Sequence, residues 1–311
     1  MAAEIPVIDF SRYSLAVDAD KVPDSVLLEL GQEVYQALAT APFLLLKNCG
    51  IEERLVRESF TCSRQFFELP AEVKQKYRRP DDPHDDNYNG WVGQGVESVN
   101  PEGPVDLKES FSYALWMEQK WPHEVVSFKP TLLNLNRQAM SLGKRILQGL
   151  ALAMGLDRHF FDGPHKGAGT RNSMTATRCN YYPEITDETV ILPNQMRIGE
   201  HADYVTLTLL FQDDQGGLEV KTKDGTWCPV LPVPGTVGVF VDLLLQRWTA
   251  DKLKATVHRV IMPGGKCPAR QSIIQLIAPD DDVEVKCVDG SDTYEPVNAR
   301  SFVTGIFDKT Y

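Results

Sequence analysis

With 42% hydrophobic residues in a chain of 311, there is enough apolar material to bury a sizeable core, as one large unit or two small ones. A formal net charge of -11 and a pI near 5.1 set the chain against nucleic acid and anionic membrane surfaces, whose phosphates it would repel. The six cysteines, at 49, 62, 179, 228, 267 and 287, include no Cys-x-x-Cys pair and no dense framework, which argues against structural zinc and a disulfide scaffold.

The N-terminus carries Glu4 and Pro6 in place of a basic, then apolar, leader, and no stretch approaches the ~20 apolar residues of a membrane span. The expectation is a soluble cytoplasmic protein with reduced thiols and no membrane partner. Ile5 to Phe10 reads as a short strand, and a helix should follow with Asp24 or Ser25 as its N-cap. Leu27, Leu30, Val34 and Leu38 form its apolar stripe, and Ala41-Pro42 stops it. Phe43 to Lys47 suits a buried strand, and Glu52 to Glu68 a second amphipathic helix before Leu69-Pro70.

Residues 78–106 are rich in Pro, Asp, Asn and Gly and read as one long loop of the kind that often lids or lines a binding site. Trp91 and the stretch Gly93 to Glu97 are candidate substrate contacts, although an aromatic in a loop more often pins that loop to the core. Asp106 to Tyr113 alternates as a strand. The longest helix runs from Lys129 to Gly155, with Leu132, Leu135, Ala139, Leu142, Ile146, Leu150 and Met154 on one stripe. That face is scaffold, because a stripe at core spacing packs against a core; Gly155 is placed to end the helix. After Gly163-Pro164, strands dominate from Ser173 onward at the spacing of a barrel or sandwich.

Within that β-rich half, His201 opens a strand pattern in which Leu207 and Leu209 alternate with Thr206 and Thr208 before a Gly216-Gly217 turn. Two residues apart on a strand, His201 and Asp203 would face the same side. His258, in the β-branched surroundings Thr256-Val257-His258-Arg259-Val260-Ile261, is the best third ligand. Two imidazoles and a carboxylate cap one face of an octahedral ion and leave the other face open. His84-Asp85-Asp86 has the same His-x-Asp spacing but lies in the Pro- and Asp-rich loop, which cannot hold ligands rigidly. Farther on, Arg270 and Ser272 share one face of a strand. A guanidinium in a sheet core needs an anionic partner, either a local Asp or Glu or, beside a metal, a small dicarboxylate gripped by its planar fork.

His201-x-Asp203, His258 and Arg270-x-Ser272, with Asn180-Tyr181-Tyr182-Pro183 upstream, resemble the iron(II)- and 2-oxoglutarate-dependent dioxygenases of the isopenicillin N synthase-like superfamily. The similarity runs from Ile5-Pro6-Val7-Ile8-Asp9 to the strands beyond Ser272. It is most specific over Leu207 to Leu218 and Gln246 to Val260, and it departs where the family reads Asn-His-Gly-Ile and this chain reads Asn48-Cys49-Gly50-Ile51. Cys49 there reads as a packed small hydrophobe.

The resemblance implies a mainly β fold with flanking α: a double-stranded β-helix, or distorted cupin-like jelly roll, with the N-terminal and long central helices packed outside. It divides the chain into an N-terminal region, 1–120, within the same globule, a scaffold helix and connection, 121–170, and a catalytic jelly-roll core with C-terminal tail, 171–311. It further implies iron(II) held by His201, Asp203 and His258, and 2-oxoglutarate with its far carboxylate on Arg270, Ser272 and Tyr182 and its chelating end near Asn180. Dioxygen and a small organic molecule would be the other reactants, ascorbate an accessory reductant, and the protein a monomer of secondary metabolism. Hydroxylation, desaturation and other oxidations all fit this reading, and the prime substrate is not legible.

A rival within the fold is an isopenicillin N synthase-like or amino-acid oxidase-like iron enzyme that does without 2-oxoglutarate, since such enzymes also carry an Arg-x-Ser pair. From another class come a non-catalytic binding module or a zinc hydrolase. The first would normally lose a ligand, and the second needs a positioned general base that the sequence does not offer. Asp213 and Asp214 read as turn formers, Asp242 as a turn or buried hydrogen-bonding residue, and His123, His159 and His165 as surface or loop histidines.

Overall fold

The computed structural model describes residues 5–41, 43–82, 89–99, 103–116, 120–262 and 264–310. The readings placed on Pro42 and on His84, Asp85 and Asp86 lie outside these described residues. The first half contributes β1 (Val7–Asp9), α1 (Asp24–Thr40), β2 (Phe43–Lys47), α2 (Glu53–Phe67), α3 (Ala71–Lys74), β3 (Gly90–Val92), β4 (Glu109–Tyr113) and α4 (Phe128–Ala153). The second half contributes β5 (Ala176–Tyr182), β6 (Ile198–His201), β7 (Leu207–Gln212), β8 (Leu218–Lys221), β9 (Trp227–Pro229), β10 (Thr236–Val241), α5 (Leu243–Trp248), β11 (His258–Val260), β12 (Arg270–Ile277), β13 (Glu284–Val285), β14 (Val297–Asn298) and α6 (Ala299–Thr310).

A major sheet in the order β1-β2-β10-β7-β12-β5-β4-β3 faces a minor sheet in the order β6-β11-β8-β9. The architecture is a double-stranded β-helix with helices outside it. Strand alternation sorts the major sheet's side chains into two compartments. Cys179, Leu209, Phe211 and Ile273 join the stripe of α4 in one core, whereas Phe43, Leu45, Leu210 and Phe240 meet Leu218, Val220 and Val260 of the minor sheet in the other. The major sheet is therefore apolar on both faces, which is why Leu207, Thr208 and Leu209 are all buried.

The helical scaffold is set by close approach. On α1, Leu27, Leu30, Val34 and Leu38 are buried as their spacing predicts, and a Cβ on Gly31 would stand 2.1 Å from the Gly149 carbonyl of α4. The two backbones touch, and only glycine permits it. Helix α4 buries Leu132, Leu135, Ala139, Leu142, Ile146 and Leu150, and Gly155 follows it with φ 75°.

The structure differs from the sequence reading at several places. Asp24 is the first residue of α1, with extended Pro23 at the N-cap position and no side-chain cap; proline's fixed φ presets the turn, so neither Asp24 nor Ser25 serves as cap. The expected loop over 78–106 contains β3, whose Trp91 and Val92 pair with Phe111 and Ser110 of β4. The β-rich half also holds two helices: α5 is too short for a 3.6-residue period to show, and α6 buries Val303 and Phe307 at i, i+4 spacing. The Phe307 ring meets Tyr204, next to Asp203, at 5.2 Å. No helix among the described residues is long and apolar enough to cross a membrane.

Candidate active site

His201 ends β6, and Asp203 lies just beyond it outside any strand, so strand alternation does not bring these two together. The convergence comes instead from sheet pairing. His258 of β11 stands directly opposite His201 in the antiparallel register, with the ring centroids 4.2 Å apart. In the irregular segment after β6, one Asp203 carboxylate oxygen lies 3.7 Å from His201 Nε2. A backbone bond from Leu243 N to Asp203 O, 3.0 Å, ties that segment to the start of α5. The ligand atoms of His201, Asp203 and His258 all lie within 4.8 Å of one another, and no other such group occurs among the described residues.

Each imidazole is oriented by a carbonyl two residues upstream. His201 Nδ1 sits 2.9 Å from Gly199 O and His258 Nδ1 sits 2.9 Å from Thr256 O. A carbonyl accepts, so Nδ1 carries the proton in both rings and each Nε2 keeps its lone pair toward the shared space. Burial lowers the pKa of His201, and burial together with the neighbouring His201 lowers that of His258 to about 4. Both rings are therefore neutral donors at neutral pH, and with a carboxylate they make a donor set suited to a divalent first-row ion. Phe240 covers His258 at 4.5 Å. Beside them the buried Asp242 accepts from Thr208 Oγ1 at 2.9 Å, and burial, followed by the charge of Asp203, raises its pKa well above the usual carboxylate range. It is the buried hydrogen-bonding residue that its place after an apolar strand suggested.

The predicted co-substrate residues line one face of the major sheet. Arg270 pairs across strands with Tyr182, and Ser272 with Asn180. Arg270 is 1% exposed, donates from Nε to Gly216 O at 2.7 Å and from Nη2 to Gln212 Oε1 at 3.3 Å, and leaves Nη1 without a partner. Its guanidinium lies 4.8 Å from the centre of the Tyr182 ring. The Tyr182 hydroxyl is 3.3 Å from Ser272 Oγ, Asn180 Nδ2 donates to the same oxygen at 3.5 Å, and Asn180 Oδ1 is buried without a partner. Orphaned donors and acceptors this deeply buried are expensive unless a ligand completes them. Among the described residues no Asp or Glu forms an ion pair with Arg270: Asp213, just past the end of β7, feels its charge but accepts from Gln271 N and Gln215 N.

On the same face, two residues along from Asn180 and Ser110, stand Arg178 and Lys108. With Arg79 they converge on the buried Glu97, whose Oε2 is 2.6 Å from Lys108 Nζ. Burial alone would raise the Glu97 carboxyl, but Arg178, Lys108 and Arg79 outweigh it and hold it well below the ordinary range. The charges of Lys108 and Arg178 also reach His201, so this network borders the triad. Glu97 was singled out only as part of a five-residue loop stretch, and Arg178 was missed, although its i−2 spacing from Asn180 could have found it. Trp91 points to the other face, where it is buried and donates to Glu109 Oε2 at 2.7 Å beside Lys74. It pins its strand to the scaffold. His123 and His159 are exposed, and His165 turns inward to Thr206 Oγ1 at 2.9 Å.

Residues 5–132 match the model described as non-haem dioxygenase in morphine synthesis N-terminal, and residues 174–279 match that of the 2OG-Fe(II) oxygenase superfamily. A proline hydroxylase of Petromyces alliaceus is 33% identical over 272 residues, covering 82% of this chain and 83% of that one. Among solved structures, a full-length Neurospora crassa protein in complex with alpha-KG and thymine superposes with a TM-score of 0.84 at 30% identity, over 99% of this chain and 97% of the other. A putative 2OG-Fe(II) oxygenase family protein from Caulobacter crescentus superposes with a TM-score of 0.80 at 25% identity, over 99% of both chains.

Proposed function

The chain belongs to the 2OG-Fe(II) oxygenase superfamily, and from that premise we propose that His201, Asp203 and His258 are its iron ligands and that Arg270, Ser272 and Tyr182 receive the far carboxylate of 2-oxoglutarate. It is an iron(II)- and 2-oxoglutarate-dependent dioxygenase. The observation that carries the assignment of residues is the cross-strand pair His201 and His258, both neutral and both turned by a carbonyl so that Nε2 faces Asp203. When bound, the metal with 2-oxoglutarate and dioxygen supplies the power to oxidise a small organic molecule, with succinate and carbon dioxide released.

The chain's own contribution is placement. Asp203 provides the anion and the two imidazoles the neutral donors; the upstream carbonyls and Phe240 hold the rings rigid. Arg270 offers a desolvated cation and Ser272 and Tyr182 two hydroxyls to a carboxylate, while Asn180 Nδ2 and Oδ1 stand two residues deeper toward the chelating end. Glu97, Arg178 and Lys108 form a charged wall beside the triad, where a polar substrate would meet fixed dipoles in place of water. Proline is named in one relative and thymine in one related structure, which supports a small polar substrate. The same reading makes the protein a monomer working in secondary metabolism, in the cytoplasm, where its six free thiols would persist.

The test is a panel of small amines, amino acids and nucleobases scored by oxygen uptake and succinate release. Both should require iron(II) and 2-oxoglutarate and should vanish in His258→Ala. Full turnover in that variant would refute the ligand assignment.

A further inference from the structure

Two arginines are among the largest fully buried side chains of the protein, Arg197 and Arg270. Both lie against one ring, their guanidinium carbons 5.8 Å and 4.8 Å from the centre of Tyr182. Arg197 precedes β6 and is 2% exposed. Its Nη2 donates to Pro183 O at 3.2 Å, Pro268 O at 3.0 Å and Cys267 Sγ at 3.1 Å, and its Nε has no partner. None of those acceptors is a carboxylate.

Among the described residues neither guanidinium forms an ion pair. Asp213 reaches both electrostatically, yet its two oxygens are taken by Gln271 N and Gln215 N, so it neutralises at most one of the two charges. Buried cations in such a position call for a further anion. Burial and the charge of Arg270 both lower the pKa of Arg197, which marks a repulsion that a nearby anion would relieve.

We propose that Arg197 is a second cation of the co-substrate site, one that acts on the far carboxylate of 2-oxoglutarate through space and sets the preference for a dicarboxylate over a 2-oxo acid with an uncharged tail. The inference rests on the reading of Arg270 as the direct partner of that carboxylate. Arg197 is a positioning residue: its hydrogen bonds also tie the end of β5 to the approach to β12, which keeps Tyr182 opposite Arg270.

Calorimetric titration of the iron-loaded protein under nitrogen, with 2-oxoglutarate and with 2-oxovalerate, separates charge from scaffold without any turnover. Arg197→Gln should weaken 2-oxoglutarate by about tenfold, the scale of one screened charge several ångströms away, and leave 2-oxovalerate unchanged. Arg197→Lys, which keeps the charge and loses the fork of hydrogen bonds, should retain the wild-type preference even if it melts lower. Equal weakening of both acids in Arg197→Gln, no weakening of either, or loss of preference in Arg197→Lys would overturn the proposal. Arg270→Gln distinguishes its premise: that variant should lose the preference outright, and if it does not, the assignment of Arg270 itself is wrong.

Discussion

Replacing Arg270 with methionine should have opposite effects on the protein with and without 2-oxoglutarate. In the co-substrate-free state the guanidinium is 1% exposed with Nη1 unpartnered, so removing it relieves the cost of a desolvated charge, several kcal/mol. Against this, Gly216 O and Gln212 Oε1 lose a donor, at about 1–2 kcal/mol each. The metal-loaded variant should therefore melt no lower than the parent. With 2-oxoglutarate the order reverses. A ligand at 100 times its Kd stabilises the parent by about 2.7 kcal/mol, roughly 4 °C in Tm for a chain of this size. Loss of a buried charge pair at about 3–5 kcal/mol weakens binding by roughly a hundredfold to several thousandfold, and the shift should shrink below about 1 °C. Thermal melts of both proteins under nitrogen, with and without 2-oxoglutarate, read both signs at once. A variant that keeps the full shift, or that melts several degrees lower when free of co-substrate, would rule out Arg270 as the unpaired partner of that carboxylate.

Asp203→Ala should leave the fold intact and strip iron, because it removes the one anion of the donor set; metal analysis after purification, beside a circular dichroism spectrum, checks both halves. For the metal-free protein, His258 and His165 each have a folded pKa of about 4 against 6.5, lowered first by burial. The unfolded chain takes up protons first, so stability is fully present above pH 6.5 and falls as pH drops toward 4, by on the order of 3 kcal/mol for each ring. Urea midpoints that stay flat over that window would contradict it. Gly31→Ala should cost about 1–3 kcal/mol by forcing α1 off the Gly149 carbonyl, lowering the denaturant midpoint while the Kd for 2-oxoglutarate stays at the parental value.

Much of the site was legible because its chemistry is carried by residue types that have few other reasons to be buried. Arg270 and Ser272 at i, i+2 do share a face of β12, and their partners Tyr182 and Asn180 fall opposite them on β5, so strand alternation was sufficient there. His201 and Asp203 do lie side by side, although Asp203 falls past the end of β6, and the register that sets His258 opposite His201 completes the cluster. Neither the end of that strand nor the register is visible in local spacing. The scaffold helices showed themselves through apolar periodicity, whereas β3, three residues long, and α5, six residues long, are too short for any period to register. Arg197 and the cations around Glu97 stayed hidden because a single charged residue in a sequence reads as surface, and only the folded chain reveals that it is buried.

X-ray absorption at the iron edge, on the iron(II)-loaded protein and its His258→Ala variant, counts the imidazoles bound to the metal. Two imidazole scatterers are expected in the parent and one in the variant. An iron shell unchanged by loss of His258 would rule that residue out as a ligand.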